Sequence, residues 1–252
     1  MSQVTPSNVK DYNYFDAVNR RYWDERYVRE LFQFNPVSAK IGGGAATGTA
    51  GDENVLMFPT TAFEYHILGT QTILAPSLTS TGLDIEMDQT DNDGIELSHG
   101  ITEQCPVSFE IGTDPAFFFR VRFSIADVSV LDECAVGFRE AEAYQANIDD
   151  YTDMAVLNVI SGDIKIETIL NNAATVTTDT TDNWLDAETH ELKVLVSSSG
   201  VVTYQIDSNA PTVTAAYTFA DGLVVVPFFY FLHAATAACP LILQDWECGF
   251  QE

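Results

Sequence analysis

An all-β fold, an antiparallel sandwich or jelly roll, follows from three features of these 252 residues. Strand-length runs alternate apolar with polar residues. Short turns rich in Gly, Asn, Asp and Ser separate those runs. Beyond residue 52 no long stretch keeps the apolar spacing of a helix.

Residues 1–10 read as a polar tail. Residues 11–34 are different, with eight aromatic residues between Tyr12 and Phe34. Trp23, Tyr27 and Leu31 are spaced four apart, and Val28 to Phe32 repeats the step, so the expectation is a helix with one aromatic face. Asp11 or Asn13 caps its start, and Asn35-Pro36 ends it, because a residue before proline is pushed out of the helical region. Arg20, Arg21, Arg26 and Arg29 interleave with the rings. The stretch 42–51, Gly-Gly-Gly-Ala-Ala-Thr-Gly-Thr-Ala-Gly, reads as a flexible linker. The chain therefore divides into an arm with its linker (1–51) and a β body (52–252).

In the body, Phe119, Val121, Phe123 and Ile125 alternate with Arg120, Arg122 and Ser124. Ile164, Ile166 and Thr168 alternate with Lys165 and Glu167, and Leu192, Val194 and Val196 with Lys193 and Ser197. Ser198-Ser199-Gly200 turns the chain into Val201–Ile206, and Asp207-Ser208-Asn209-Ala210-Pro211 turns it again. Leu223–Leu232 does not alternate. A strand apolar on both sides needs cover on both sides. The outer cover is a loop, the arm or another subunit. Pro227 places this run at a sheet edge or a bulge. The run is too short to cross a bilayer, and Met1-Ser2-Gln3-Val4 lacks the start of a secretion signal. The expectation is a protein made in a cytoplasm, with no membrane contact.

Charge is unevenly spread. Residues 1–50 carry six basic residues against five acids, and residues 51–252 carry five against thirty-two, for a total of −26. So acidic a body stays soluble and repels nucleic acid, so no nucleic-acid partner is expected. Cys105, Cys134, Cys239 and Cys248 are far apart in sequence and sit in or beside apolar strands, which reads as buried free thiols. His66, His99, His190 and His233 are isolated from one another and read as hydrogen-bonded structural residues. No nucleophile elbow and no phosphate-cradling loop is visible.

The body also carries a resemblance. Gly94–Ser98, the Phe117–Phe123 strand, Val136-Gly137-Phe138, Asp150–Ala155, His190–Val194, Gly200–Asp207 and Trp246–Gln251 follow one another as in the concanavalin A-like lectin and glucanase sandwich. The layout, from Leu83 to Gln251, covers about two thirds of the chain. More narrowly it looks like structural proteins of tailed bacteriophages, which use such sandwiches as capsid decoration or fibre modules. In glucanases of this fold an E-x-D-x-x-E strand carries the chemistry. Here Glu86-Met87-Asp88-Gln89-Thr90-Asp91 resembles it, but Asp91 stands where the last Glu belongs, which undercuts the acid/base role.

Three candidate sites emerge. Arg20, Arg21, Tyr22, Trp23, Arg26, Tyr27 and Arg29 are of the types that dominate binding energy at protein interfaces, and form a partner-docking set. Asp88, Asp91 and Asp93, on an acidic turn, are oxygen donors suited to Ca²⁺, although Asp-Asn-Asp-Gly is also ordinary turn chemistry. Trp184, in Asp182-Asn183-Trp184-Leu185, is the best placed candidate for an aromatic sugar platform, the alternative being a core residue. The sequence therefore leads to a non-enzymatic virion structural protein, a decoration or cement protein on the capsid surface. Its arm would dock on the major capsid protein or a neighbouring virion protein. A homo-oligomer, a trimer by preference, is expected. The alternative is a carbohydrate-binding, lectin-like module with a glycan ligand.

Overall fold

The computed structural model describes residues 14–16, 21–23, 28–32, 48–49, 53–57, 62–71, 77–85, 90–100, 105 and 107–251. In chain order the strands are β1 (Tyr14–Asp16), β2 (Arg21–Trp23), β3 (Val28–Leu31), β4 (Gly48–Thr49), β5 (Glu53–Met57), β6 (Ala62–Leu68) and β7 (Thr70–Gln71). They continue with β8 (Ser77–Leu78), β9 (Leu83–Asp84), β10 (Gly94–Ser98), β11 (Phe109–Glu110), β12 (Phe117–Ile125), β13 (Leu131–Glu140) and β14 (Met154–Ile160). The last six are β15 (Asp163–Ile169), β16 (Val176–Asn183), β17 (Thr189–Val196), β18 (Val202–Ile206), β19 (Val224–His233) and β20 (Leu241–Phe250).

Two antiparallel sheets make the body. The nine-stranded sheet runs β16-β15-β14-β13-β19-β10-β6-β5, with β11 also on β19. The seven-stranded sheet runs β18-β17-β12-β20-β9-β8, with β3 also on β20. Alternation decides which side chains face inward. On β12, Phe117, Phe119, Val121, Phe123 and Ile125 are buried and the residues between them are not. Between the sheets Phe109 stacks on Phe117 at 4.4 Å, Phe119 meets Trp246 at 4.5 Å, and Phe123 meets Trp184 at 4.5 Å and Phe229 at 5.3 Å. Aromatic pairs at such separations add to the burial energy of the rings. All four cysteines are buried free thiols, as the sequence suggests. Among the described residues no helix is long and apolar enough to cross a membrane.

Two expectations need correction. The described arm residues are strands, not helix: β1 and β2 pair as a hairpin, and β3 adds to the edge of β20, with Arg29 opposite Glu247 and Leu31 opposite Asp245. A spacing of four is even, so it fits a strand as well as a helix. The open edge of β20 supplies backbone partners that a lone helix lacks. Just past β3, Phe32 is buried, its N–H donating to Gln244 O at 3.0 Å.

The second correction concerns Pro227. The β19 strand is central, not at an edge. On one side β13 pairs along almost its whole length, Pro227 lying opposite Phe138. On the other side β10 pairs with Phe228–Leu232 and β11 with Val224 and Val225. Pro227 falls in the gap between those two neighbours, where no ladder needs its missing N–H. The outer cover of β19 is the chain's own strap, residues 141–153. Ile148 and Tyr151 of the strap pack with Phe228 and Tyr230 in a second apolar cluster.

Candidate functional site

The outer face of the nine-stranded sheet divides into an apolar half under the strap and a polar half beyond it, in which Asn158 and Glu167 are buried and Glu133 and Lys165 are partly exposed. Under the strap lies a fully buried ion pair, Arg139 with Glu96. The Arg139 guanidinium donates to Glu96 Oε1 from Nε at 3.2 Å and from Nη2 at 2.8 Å, and Tyr151 OH donates to Glu96 Oε2 at 2.5 Å. Arg139 Nη1 reaches the strap itself, donating to Glu140 O at 3.0 Å and Glu142 O at 3.3 Å. Burial alone would disfavour the guanidinium charge, but the Glu96 carboxylate outweighs it and raises Arg139. Burial, reinforced by Glu96, raises the Tyr151 phenol far above its ordinary range. Tyr144 OH and Tyr230 OH complete the fastening, donating to Ile67 O and Ala146 O at 3.1 Å each.

Beyond the strap the same face turns polar. Cross-strand register sets Ala135 beside Asn158, Asn158 beside Lys165, Val156 beside Glu167, and Glu167 beside Thr177. Asn158 Oδ1 accepts from Cys134 N at 2.9 Å and its Nδ2 donates to Glu167 Oε2 at 2.7 Å. Thr177 Oγ1 donates to the other Glu167 oxygen at 3.0 Å. Asn158 is thereby locked in one amide orientation.

Glu133 completes the group. A register shift between Leu131 and Glu133, a bulge that leaves Asp132 without a partner opposite, turns Glu133 to face Leu232. Its Oε2 is buried and has no hydrogen-bond partner. Burial, with the carboxylates of Glu167, Asp132 and Asp149 adding repulsion, pushes Glu133 up to about 8. At neutral pH this carboxyl is therefore largely protonated. It is a hydrogen-bond donor that has found no acceptor, on the same face as the Glu167 carboxylate, which lies two strands away on β15. Such a pairing suits a ligand that accepts at one atom and donates at another.

No sequence motif marks these residues; the available signal is a polar residue interrupting an apolar run, as Asn158 does between Leu157 and Val159. The candidate residues expected from the sequence lie elsewhere. Of the docking set, Arg20, Arg26 and Tyr27 lie outside the described residues, and Arg21, Tyr22 and Trp23 form β2. Arg29 sits on β3 with its Nη2 3.3 Å from Asp245 Oδ2 of its own body. Of the acidic turn, Asp88 lies outside the described residues, as does Glu86 of the glucanase-like segment. Asp91 is exposed, and Asp93 is buried, with Oδ1 accepting Thr70 N–H at 2.7 Å. Among the described residues no group of three or more His, Cys, Asp and Glu is placed to hold a metal ion. Trp184 is no platform. It is a buried core residue between Phe123 and His190, since its strand-end ring fills the space under β17. His190 is the exception among the histidines, half-exposed between Asp207 (2.6 Å) and Glu188 (3.1 Å).

Solved structures with the same arrangement include two carbohydrate recognition domains. The Emp47p carbohydrate recognition domain matches with a TM-score of 0.56 at 11% identity, over 85% of this chain and 100% of that one. The potassium-bound Emp46p carbohydrate recognition domain matches with a TM-score of 0.51 at 7% identity, over 74% and 87%. The fold is the concanavalin A-like lectin sandwich. The metal-free VIP36 exoplasmic/lumenal domain agrees, with a TM-score of 0.50 at 10% identity over 75% and 85%. No family model and no curated protein sequence matches the chain. Identities this low speak for the fold alone, and no virion protein stands among these structures.

Proposed function

We propose that this protein is a carbohydrate-binding, lectin-like module, and that its glycan site is the polar half of the nine-stranded sheet's outer face. The observation that carries the reading is the unpartnered, buried Glu133 Oε2 in a row of otherwise satisfied polar side chains. A sugar presents several hydroxyls, each both donor and acceptor. A neutral Glu133 carboxyl donates to one, and on β15 the Glu167 carboxylate accepts from another while Lys165, two residues earlier on the same strand, donates. Leu232, beside Glu133 in the ladder and partly exposed, gives the apolar contact that sugar sites use. The surrounding carboxylates of Asp132, Glu167 and Asp149 disfavour an anionic glycan, so the ligand is a neutral or amino sugar. The lectin fold of the similar structures supports the same reading. A glycan array probed with the full chain tests it. Neutral or amino-sugar glycans should bind, and Glu133→Ala should weaken them about tenfold, roughly one lost hydrogen bond to a polar group. An array without binding, or a Glu133→Ala variant that binds like the wild type, removes the proposal.

A further inference from the structure

We propose that two copies of this chain associate back to back through the outer face of the seven-stranded sheet. This face and the proposed glycan site lie on different sheets.

The outward positions of β3, β20, β12, β17 and β18 form ladders across this face. One row reads Gln205, Lys193, Arg120, Glu247, Arg29, and the next Glu191, Arg122, Asp245, Leu31. Arg120 is the hub. It donates to Glu247 at 2.6 Å, Glu191 at 2.7 Å and Asp245 at 2.8 Å, and its charge is held more firmly than usual because these carboxylates outweigh the cost of burial. Arg29 adds a second bond to Asp245, and Lys193 lies 4.6 Å above the Phe118 ring.

The balance of charge is what singles this face out. Four of the eleven basic residues are here (Arg29, Arg120, Arg122, Lys193), against five carboxylates, Asp84, Glu191, Asp207, Asp245 and Glu247. The face carries only one net negative charge. The other seven basic residues stand against thirty-two acids, which is −25 of the net charge of −26. Two copies approaching through the rest of the acidic β body repel one another, and this sheet is where two bodies can meet. The occupant follows from the same balance. A basic partner is drawn to the acidic remainder and an acidic partner finds no net attraction, whereas a second copy finds its match. The first row carries an excess of two positive charges and the second an excess of one negative. An isologous contact that lays one copy's first row over the other's second therefore opposes unlike charges twice.

Five strands ~4.8 Å apart and about seven residues long span roughly 550 Å² per copy, in which Arg29, Leu31, Arg122 and Thr203 are exposed while Asp245 and Glu247 are already buried. Leu31 is 47% exposed at one margin, and Phe118 and Leu195 are half-buried at another.

Sedimentation velocity on the full chain in 20 and 150 mM NaCl reads the outcome. Dimer should form, and form more tightly at the higher salt, because screening removes the long-range repulsion of two acidic bodies. Arg122→Glu combined with Thr203→Glu should weaken it at least tenfold without lowering the melting temperature. Thr203→Glu alone, at a fully exposed site, serves if the pair melts early. Leu185→Glu, off this face, should leave the dimer intact. A wild type that stays monomeric at ~100 µM protein, or an oligomer indifferent to the Arg122 and Thr203 changes, overturns the proposal.

Discussion

Replacing Glu133 by Gln gives the sharpest test of the candidate site. Gln keeps the shape of the protonated carboxyl and removes its titration. In the folded protein Glu133 is pushed up to about 8, while an unfolded Glu titrates near ~4.3. Between those two values the native state holds a proton that the unfolded state does not. Stability therefore falls as pH rises, by about 1.4 kcal/mol per pH unit, from pH ~4.5 to pH ~8, and is level outside that window. This is opposite to the usual carboxylate, whose depressed value makes alkaline conditions favourable. At pH 7.5 the wild type should have lost about 4 kcal/mol of what it holds at pH 4.

Urea unfolding of the wild type and Glu133→Gln at pH 5, 6, 7 and 8 isolates this contribution, because ionisable groups remote from Glu133 contribute alike to both. The two proteins should be close in stability at pH 5. At pH 7.5 the variant should be ahead by about 3–4 kcal/mol, a gain of roughly 6–16 °C in melting temperature for a chain of this size. A gap between the two that does not change from pH 5 to pH 8 would refute the account of Glu133 as a neutral, buried donor. It would also undercut the donor–acceptor pairing on which the glycan site rests.

Three further outcomes follow from the same structure. Arg139→Met should cost about 3–5 kcal/mol in urea unfolding, because it leaves Glu96 buried and unpaired, and Arg139→Met with Glu96→Leu should regain most of that loss. Gly137→Ala should melt well below the wild type or fail to fold, since an added Cβ would stand 2.2 Å from Ala155 O and 2.8 Å from Val156 Cα. His190 is lowered by burial but raised more strongly by Asp207 and Glu188, so its folded value lies above the ordinary one. Its contribution is then complete below pH ~6.5 and is lost as pH rises through the folded value, and His190→Gln should erase that part of the stability–pH curve between pH 6 and 8.

Much of the fold was legible because burial imposes a period of two. Phe119, Val121, Phe123 and Ile125 announced β12, and Leu192, Val194 and Val196 announced β17, with the inward faces the structure shows. The arm misled because an even spacing satisfies helix and strand alike, and only the free edge of β20 decides between them. Pro227 misled because a central strand can change neighbours midway, which no local pattern announces. Trp184 misled because a turn-flanked Trp looks exposed until the sheet it packs under is known. The candidate site was the least legible part. Glu133, Asn158 and Glu167 lie 9 to 34 positions apart in sequence, and only strand register and one bulge bring them together.

The buried ion pair and the polar site belong to one mechanical argument. Apolar contacts are non-directional, so Ile148 and Tyr151 alone would let the strap settle in several positions over β19 and β13. Arg139 and Glu96 remove that freedom. Together they bond to β10, to both ends of the strap and to the carbonyls of Glu140 and Glu142. With the strap fixed, Ala146 receives Tyr230 OH and Asp149 receives Thr175 Oγ1 at 2.6 Å. That places the Asp149 carboxylate where it helps keep Glu133 neutral. A pair that adds little net stability against an apolar substitute can therefore still set the protonation of a carboxyl it does not touch. In the Arg139→Met, Glu96→Leu protein the fold should be stable, yet the pH dependence assigned to Glu133 should shrink as Asp149 moves away.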